Sequence, residues 1–268
     1  MSYKINHDEF RSSIERLFFY QSEVLSSSGA TITKLNHNHP DDEIALAENY
    51  YYLSECTGKK EYFGSRVYEK ETFVAKLIDI RNRQYQWMLA EAYEEFKKYV
   101  VAQAKLVVLS PRLDSEQVAK FEKRINGGRD IPSSLLSFMR DNLTGFSKHE
   151  SAYGSDLNLR FAYTLVRFFR EQIVHERGVV WDKKSFIDKV ISKSGISGKN
   201  ANLSNHVYSF FGSGDNENTI LLIEKPAPSF ARTGAFTNDF RVLAGYLLNY
   251  SDFLMYYLAD RGFYEKQA

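Results

Sequence analysis

Between Lys70 and Leu109 the chain runs without one glycine or proline. Phe73, Leu77, Ile80, Trp87, Leu89, Phe96, Val100, Ala104 and Val107 recur through this stretch and give it a broad apolar face at helical spacing. Glycine costs a helix interior about 1 kcal/mol and proline about 3 kcal/mol, so a long run lacking both is the strongest helix signal available. As one rod it would measure about 60 Å, and a bend or break within it is expected. Pro111 marks its end. A chain built around such an element is expected to be mainly α, a helical bundle.

The flanking segments divide by the same criteria. Residues Asp8 to Ser28 carry Phe10, Ile14, Leu17, Phe18 and Val24 on one side and read as a first helix, which Ser26-Ser27-Ser28-Gly29 ends. Asp41-Asp42-Glu43, favourable at a helix N-terminus, opens a second helix through Ile44, Leu46, Tyr50 and Leu53 to Thr57-Gly58. Lys59 to Tyr68 reads as a loop. Asp114 to Arg124 and Pro132 to Asn142 are two shorter helices parted by Asn126-Gly127-Gly128, and an amphipathic helix spans Asp156 to Glu176. Trp181 to Lys193 forms a short helix, and Ser194 to Asn205, rich in Ser, Gly and Asn, reads as a loop. Val207 to Phe211 and Thr219 to Ile223 are the strand candidates, able to pair as a small hairpin across Gly212 to Asn218. A last helix from Thr237 to Leu258 carries Phe240, Leu243, Leu247, Tyr250 and Leu254. No repeat or clear linker splits the chain. The expectation is one mainly helical domain over residues 1–268, with N-terminal helices in 1–69, a helical core in 70–258 and a minor β-hairpin near the C-terminal part.

Composition narrows function by exclusion. The formal net charge of +1 means that any nucleic-acid binding must come from a local patch. Twenty Phe and 18 Tyr point to large helix–helix contacts or an extensive interface. Cys56 is the single cysteine, so no intrachain disulfide forms, as suits a reducing compartment. Met1 to Glu9 is polar, and no apolar run approaches the ~20 residues of a membrane span. The expectation is a cytoplasmic chain with no membrane partner. Phosphate-binding loop, dinucleotide fingerprint, Gly-x-Ser-x-Gly and paired His or Cys metal motif are all absent, so no cofactor and no metal is expected. His37 and His39 beside Asp41 and Asp42 read either as a metal site or as a solvated lead-in to a helix. His7, His149 and His206 sit in polar contexts.

One pattern stands above that background. Phe161, Ala162, Leu165, Val166, Phe168, Phe169 and Ile173 take one wide face of the Asp156–Glu176 helix, with Arg160, Tyr163, Arg167 and Arg170 opposite. Gly178 stops the helix as a C-terminal cap, leaving His175 in its last turn. Residues five apart point about 140° away from each other around a regular helix. Arg170 and His175 therefore converge only if the helix distorts at its end or if two chains share a site. The alternative is a structural helix end, where His175 bonds a carbonyl and Arg170 pairs with Glu94 or Glu171.

Phe168 to Val180 runs through apolar residues, Arg170, polar residues, Val174 before His175, and a turn at Gly178. This order resembles the Arg-x(4–6)-His signature of the HEPN superfamily, in which the motif lies late in a long helix of an α-helical bundle. The stretch from Trp87 to Val108, with Glu91, Tyr93, Glu94, Glu95 and Phe96, resembles the preceding long helix of that fold. In architecture the resemblance extends over Lys70 to Leu258. It implies a metal-independent endoribonuclease, a toxin or defence effector, acting on RNA as a homodimer and paired with an antitoxin or other protein partner. In that chemistry a ribose 2′-OH attacks the adjacent phosphate. His175 suits the acid/base role, Arg170 the stabilisation of charge on phosphorus, and Arg167, Arg177 and Arg160 the RNA backbone.

The family usually places a small polar residue, often Asn, directly after the arginine, and here it is Glu171. Its carboxylate repels phosphate unless Arg167 or Arg170 neutralises it. It equally lies at i−4 from His175, where it can orient the imidazole. Glu171 is therefore counted with the catalytic candidates. The alternative function is a catalytically inactive HEPN-like module that binds protein or nucleic acid within a multi-component system.

Overall fold

The glycine- and proline-free stretch forms one continuous helix, α2 (Lys70–Leu109), so of the bend or break expected the break does not occur. The computed structural model describes residues 3–38, 46–110, 113–127, 130–152, 158–196, 201–226 and 236–263. Among these the fold is mainly α-helical. The other helices are α1 (Tyr3–Asn38), α3 (Ser115–Gly127), α4 (Ile131–Asn142), α5 (Phe146–Ser151), α6 (Leu159–Glu176), α7 (Lys183–Lys193), α8 (Ala201–Tyr208) and α9 (Asp239–Asp260). Two antiparallel hairpins accompany them, β1 (Leu46–Leu53) with β2 (Lys60–Tyr68) and β3 (Glu224–Pro226) with β4 (Phe236–Asn238). The chain groups into two compact units, Met1–Phe19 with Tyr85–Ala268, and Tyr20–Gln84.

The Tyr20–Gln84 unit departs most from expectation. The first helix does not end at Ser26–Gly29. Ser28 Oγ donates to Leu25 O at 3.1 Å and Thr31 Oγ1 to Ser27 O at 3.0 Å, so the hydroxyls that mark a stop are absorbed by the helix itself. The expected second helix is strand β1, and the expected loop from Lys59 is strand β2. Asp41, Asp42, Glu43 and Ile44 lie outside the described residues, as do His39 and Pro40, while His37 sits in the last turn of α1. Tyr50, Tyr51 and Tyr52 face a strand rich in Tyr, Phe and Val, residues that fit a pleated surface better than a helix. A tight turn closes the hairpin, with Gly58 at φ 63° and its N–H bonded to Ser54 O at 2.7 Å. Cys56 lies exposed in that turn.

In the larger unit, periodicity was a better guide. Phe240, Leu243, Leu247, Tyr250 and Leu254 of α9 are all buried, as are Leu89, Phe96, Val100, Ala104 and Val107 of α2. Trp87 is a correction, being 52 % exposed. Nine residues before Phe96, it lies about 180° round the helix from the buried stripe. The hairpin expected from Val207–Phe211 and Thr219–Ile223 is also not formed. Val207 and Tyr208 end α8, a helix that begins inside the segment read as a loop, and only single bridges remain, Phe211 with Ile220 and Val179 with Thr219. Val207 is fully buried, and packing of this kind outweighs the weak helix propensity of a Ser- and Asn-rich segment.

Helix α6 packs against α5, α7 and α9. From Phe161 to Val166 every residue is buried, Tyr163 included, so the basic face expected there is interrupted. Tyr163 is 3 % exposed, and its hydroxyl lies 2.8 Å from Ser133 Oγ and 3.2 Å from Tyr93 Oη. Below it, Glu150 on α5 is fully buried. Arg140 on α4 donates to it from Nε at 2.7 Å and Nη2 at 2.6 Å, and the Tyr250 hydroxyl on α9 donates a third bond. Burial works against the charge on Arg140, but the bridge to Glu150 prevails and raises its pKa. Three helices are joined by one buried carboxylate.

His206 on α8 lies among aromatic rings rather than in the polar setting expected. Phe161 and Phe210 flank it, and its Nε2 is 2.7 Å from the Tyr246 hydroxyl. Burial lowers its pKa below the ordinary 6.5, while burial and then Asp239 push Tyr246 up to about 12. The unfolded histidine therefore binds a proton more readily than the folded one. The stability it contributes is fully present above its ordinary pKa and is lost as pH falls from there towards the folded value. Thermal melts taken from about pH 7.5 down to about pH 5 should show a falling midpoint, and His206→Gln should flatten that slope. An unchanged slope in the variant would assign the effect to another group.

Candidate functional site

All the candidate residues but Arg160 occupy α6 from Arg167 onward and the turn that follows. Asn158 starts the helix, its Oδ1 accepting from Phe161 N at 2.9 Å. The far end closes in two steps. Arg177 takes the left-handed conformation at φ 56°, Gly178 follows at φ 77°, and both N–H groups reach Gln172 O. The left-handed turn thus begins one residue before the glycine expected to cap the helix. Gln86 of α2, almost fully buried, locks this turn, donating from Nε2 to Ile220 O at 2.8 Å. A Cβ on Gly178 would meet that same nitrogen at 2.4 Å. Ile220 N bonds Gly178 O at 2.9 Å, and Val180 N bonds Asn218 O at 2.8 Å.

Arg170 points to α2. Its Nη2 donates to Glu94 Oε1 at 2.7 Å, its guanidinium carbon lies 5.9 Å from the centre of the Tyr93 ring, and its Nε is buried with no hydrogen-bond partner among the described residues. One turn earlier, Arg167 Nε is 2.8 Å from Asp130 Oδ2 and 3.2 Å from Glu171 Oε1. Burial opposes the Arg167 charge, but Asp130 and then Glu171 outweigh it and raise its pKa. Asp130 also caps α4, its Oδ1 accepting from Ser133 N at 3.3 Å. These groups line a cleft of about 90 Å³, together with Tyr93, Lys97 and Pro132.

The cleft is charge-balanced. Glu94, Asp130 and Glu171 face Lys97, Arg167 and Arg170, so an anion entering it must displace a carboxylate from a cation. Glu171 is held by Arg167 rather than by His175. His175 does not line the cleft. It is exposed, with no hydrogen bond or ion pair to any described residue. The two motif residues point apart, as the helical angle requires.

The remaining candidates separate. Arg177 is exposed at the same helix end as His175. Arg160 is not brought there, lying fifteen residues before His175, about 22 Å along the axis, with its guanidinium against Gly195 at the end of α7. Asp130 and Gln86 belong to the site's support although neither was singled out from sequence. Asp130, two residues before Pro132, carries the signal of a helix cap, whereas nothing near Gln86 in the chain marks it. Among the described residues no group of three or more His, Cys, Asp or Glu is placed to hold a metal ion, and no helix is long and apolar enough to cross a membrane. Comparison with known protein families, with characterised proteins and with solved structures finds no match.

Proposed function

We propose that this chain is a HEPN-like, metal-independent endoribonuclease whose reaction centre is shared between two copies. The observation that carries this reading is the divergence of the motif pair. Arg170 lines the cleft beside Glu94, whereas His175 stands exposed and without a partner among the described residues, outside that cleft. A second α6 facing the first about a two-fold axis supplies to each side the group that the other lacks.

In that arrangement the His175 imidazole takes the proton of a ribose 2′-OH, and the oxygen attacks the adjacent phosphorus. The bond from phosphorus to the 5′-oxygen breaks, and that oxygen leaves as a hydroxyl on taking a proton from water, while the imidazolium returns its own proton to solvent. The products are a 2′,3′-cyclic phosphate and a 5′-hydroxyl. The planar fork of Arg170 matches two phosphate oxygens and offsets the charge that develops on them. Glu94 is 38 % exposed, so water replaces the guanidinium when Arg170 turns to phosphate. Arg167 keeps the Glu171 carboxylate paired during the exchange.

Purified protein incubated with single-stranded RNA and a chelator should yield fragments ending in cyclic phosphate, and light scattering should report a dimer. A dimer that leaves RNA intact under these conditions overturns the reading. The charge-balanced cleft favours a second one, an inactive HEPN-like module binding an antitoxin-like protein or RNA in a larger assembly. A stable complex recovered by pull-down with no cleavage would support it.

A further inference from the structure

Trp181 is the most exposed aromatic side chain among the described residues, at 79 %. Its backbone is held on both sides. Val180 before it is buried and bonded to Asn218 O, and Asp182 after it caps α7, accepting from Ser185 N at 2.9 Å. Gln86 braces the turn at Gly178. An indole is thus presented to solvent at a defined place, six residues from His175. Arg177 and Lys184 are exposed nearby in the chain, neither ion-paired with a described residue. Lys183 is engaged with Glu217 O at 3.0 Å and with the Phe211 ring. Exposed Glu176 and Asp182 accompany them, the latter's carboxylate occupied by its cap.

We infer that Trp181 is a stacking platform for an unpaired RNA base, with Arg177 and Lys184 contacting the flanking phosphates. The inference rests on the ribonuclease reading for the identity of the polymer. An exposed indole with exposed cations close to it in the chain offers the combination by which proteins hold single strands without reading sequence, since every base offers a π-face. Bases inside a duplex are already stacked and cannot use it. A strand anchored on Trp181 has its backbone drawn to the end of α6, where His175 is exposed. Attack by a 2′-OH also requires a backbone free to bring oxygen in line with the leaving group, which a single strand allows.

The test uses the full chain carrying His175→Ala, so that RNA is not consumed, and a fluorescein-labelled single-stranded oligoribonucleotide. Adding Trp181→Ala should raise the dissociation constant roughly tenfold or more, Trp181→Phe should restore most of the affinity, and a duplex of the same sequence should bind the His175→Ala protein more weakly. Equal affinity with and without the indole, or no RNA binding at all, overturns the inference. So does a dimer that dissociates on Trp181→Ala while RNA affinity is unchanged, which would make this a protein contact. Trp181-dependent binding by a wild-type protein that cuts nothing removes the nuclease reading and leaves this one. Cleavage with a KM indifferent to Trp181 does the reverse.

Discussion

Replacing His175 by alanine should lower the rate of RNA cleavage by about 10²–10⁴-fold, and Arg170→Ala by about 10²–10³-fold. Neither change should perturb the helical circular dichroism spectrum. His175 is exposed and touches no described polar group, so its removal takes away no packing. Arg170→Ala leaves Glu94 facing water. Arg170→Lys keeps the charge but not the planar fork and should remain impaired. The decisive result comes from mixing the two inactive variants. In a shared site a mixed dimer has one centre lacking both groups and one centre intact. Random exchange makes half of the dimers mixed, so about a quarter of wild-type activity should return. If the mixture stays as inactive as its components, the two groups do not meet across an interface, and the shared-site reading falls.

Glu150→Ala should destabilise the protein by about 3–5 kcal/mol, because it leaves the Arg140 guanidinium buried without its counter-charge. Arg140 is only 14 % exposed and gives two of its hydrogen bonds to this one carboxylate. Tyr250, whose pKa burial and then Glu150 hold well above its ordinary value, loses its acceptor in the same step. Glu150→Gln preserves shape but presents an N–H₂ group to a donor, and should recover only part of the loss. The combination Glu150→Leu, Arg140→Met and Tyr250→Phe removes every partner together and should be far more stable than Glu150→Ala alone. Denaturant unfolding of the three proteins reads the order directly. A single variant as stable as wild type would show that the carboxylate is not the group that joins these helices.

Segments whose order depends on near neighbours were legible from sequence. Helices α2, α4, α6 and α9 were recognisable because an apolar residue every three or four positions acts within a few residues of the backbone it organises. The tyrosine-rich stretch from Tyr50 to Tyr52 was not, because Leu46, Tyr50 and Leu53 are also spaced as on a helix face. Its partners, Glu61, Tyr62 and Gly64, decide between them. The expected strands at Val207 to Phe211 and Thr219 to Ile223 failed for the complementary reason. Their β-branched and aromatic residues were matched by burial in a helix end and in isolated bridges rather than in a ladder.

The sequence by itself determined that Arg170 and His175 share the end of one helix and diverge around it, since that follows from the angle per residue. It also narrowed the arginines able to neutralise Glu171 to Arg167 and Arg170, of which the structure pairs Arg167, one turn away on the same helix, with it. It offered Glu94 and Glu171 as partners of Arg170, and only the tertiary structure decided for Glu94, 76 residues earlier; that Glu150 meets Tyr250 across 100 residues had no signal in the chain. The same holds for Gln86, which braces the turn at Gly178. Spacing along the chain encodes direction within an element, whereas partners between elements are chosen by how the apolar faces pack, and no local pattern records that choice.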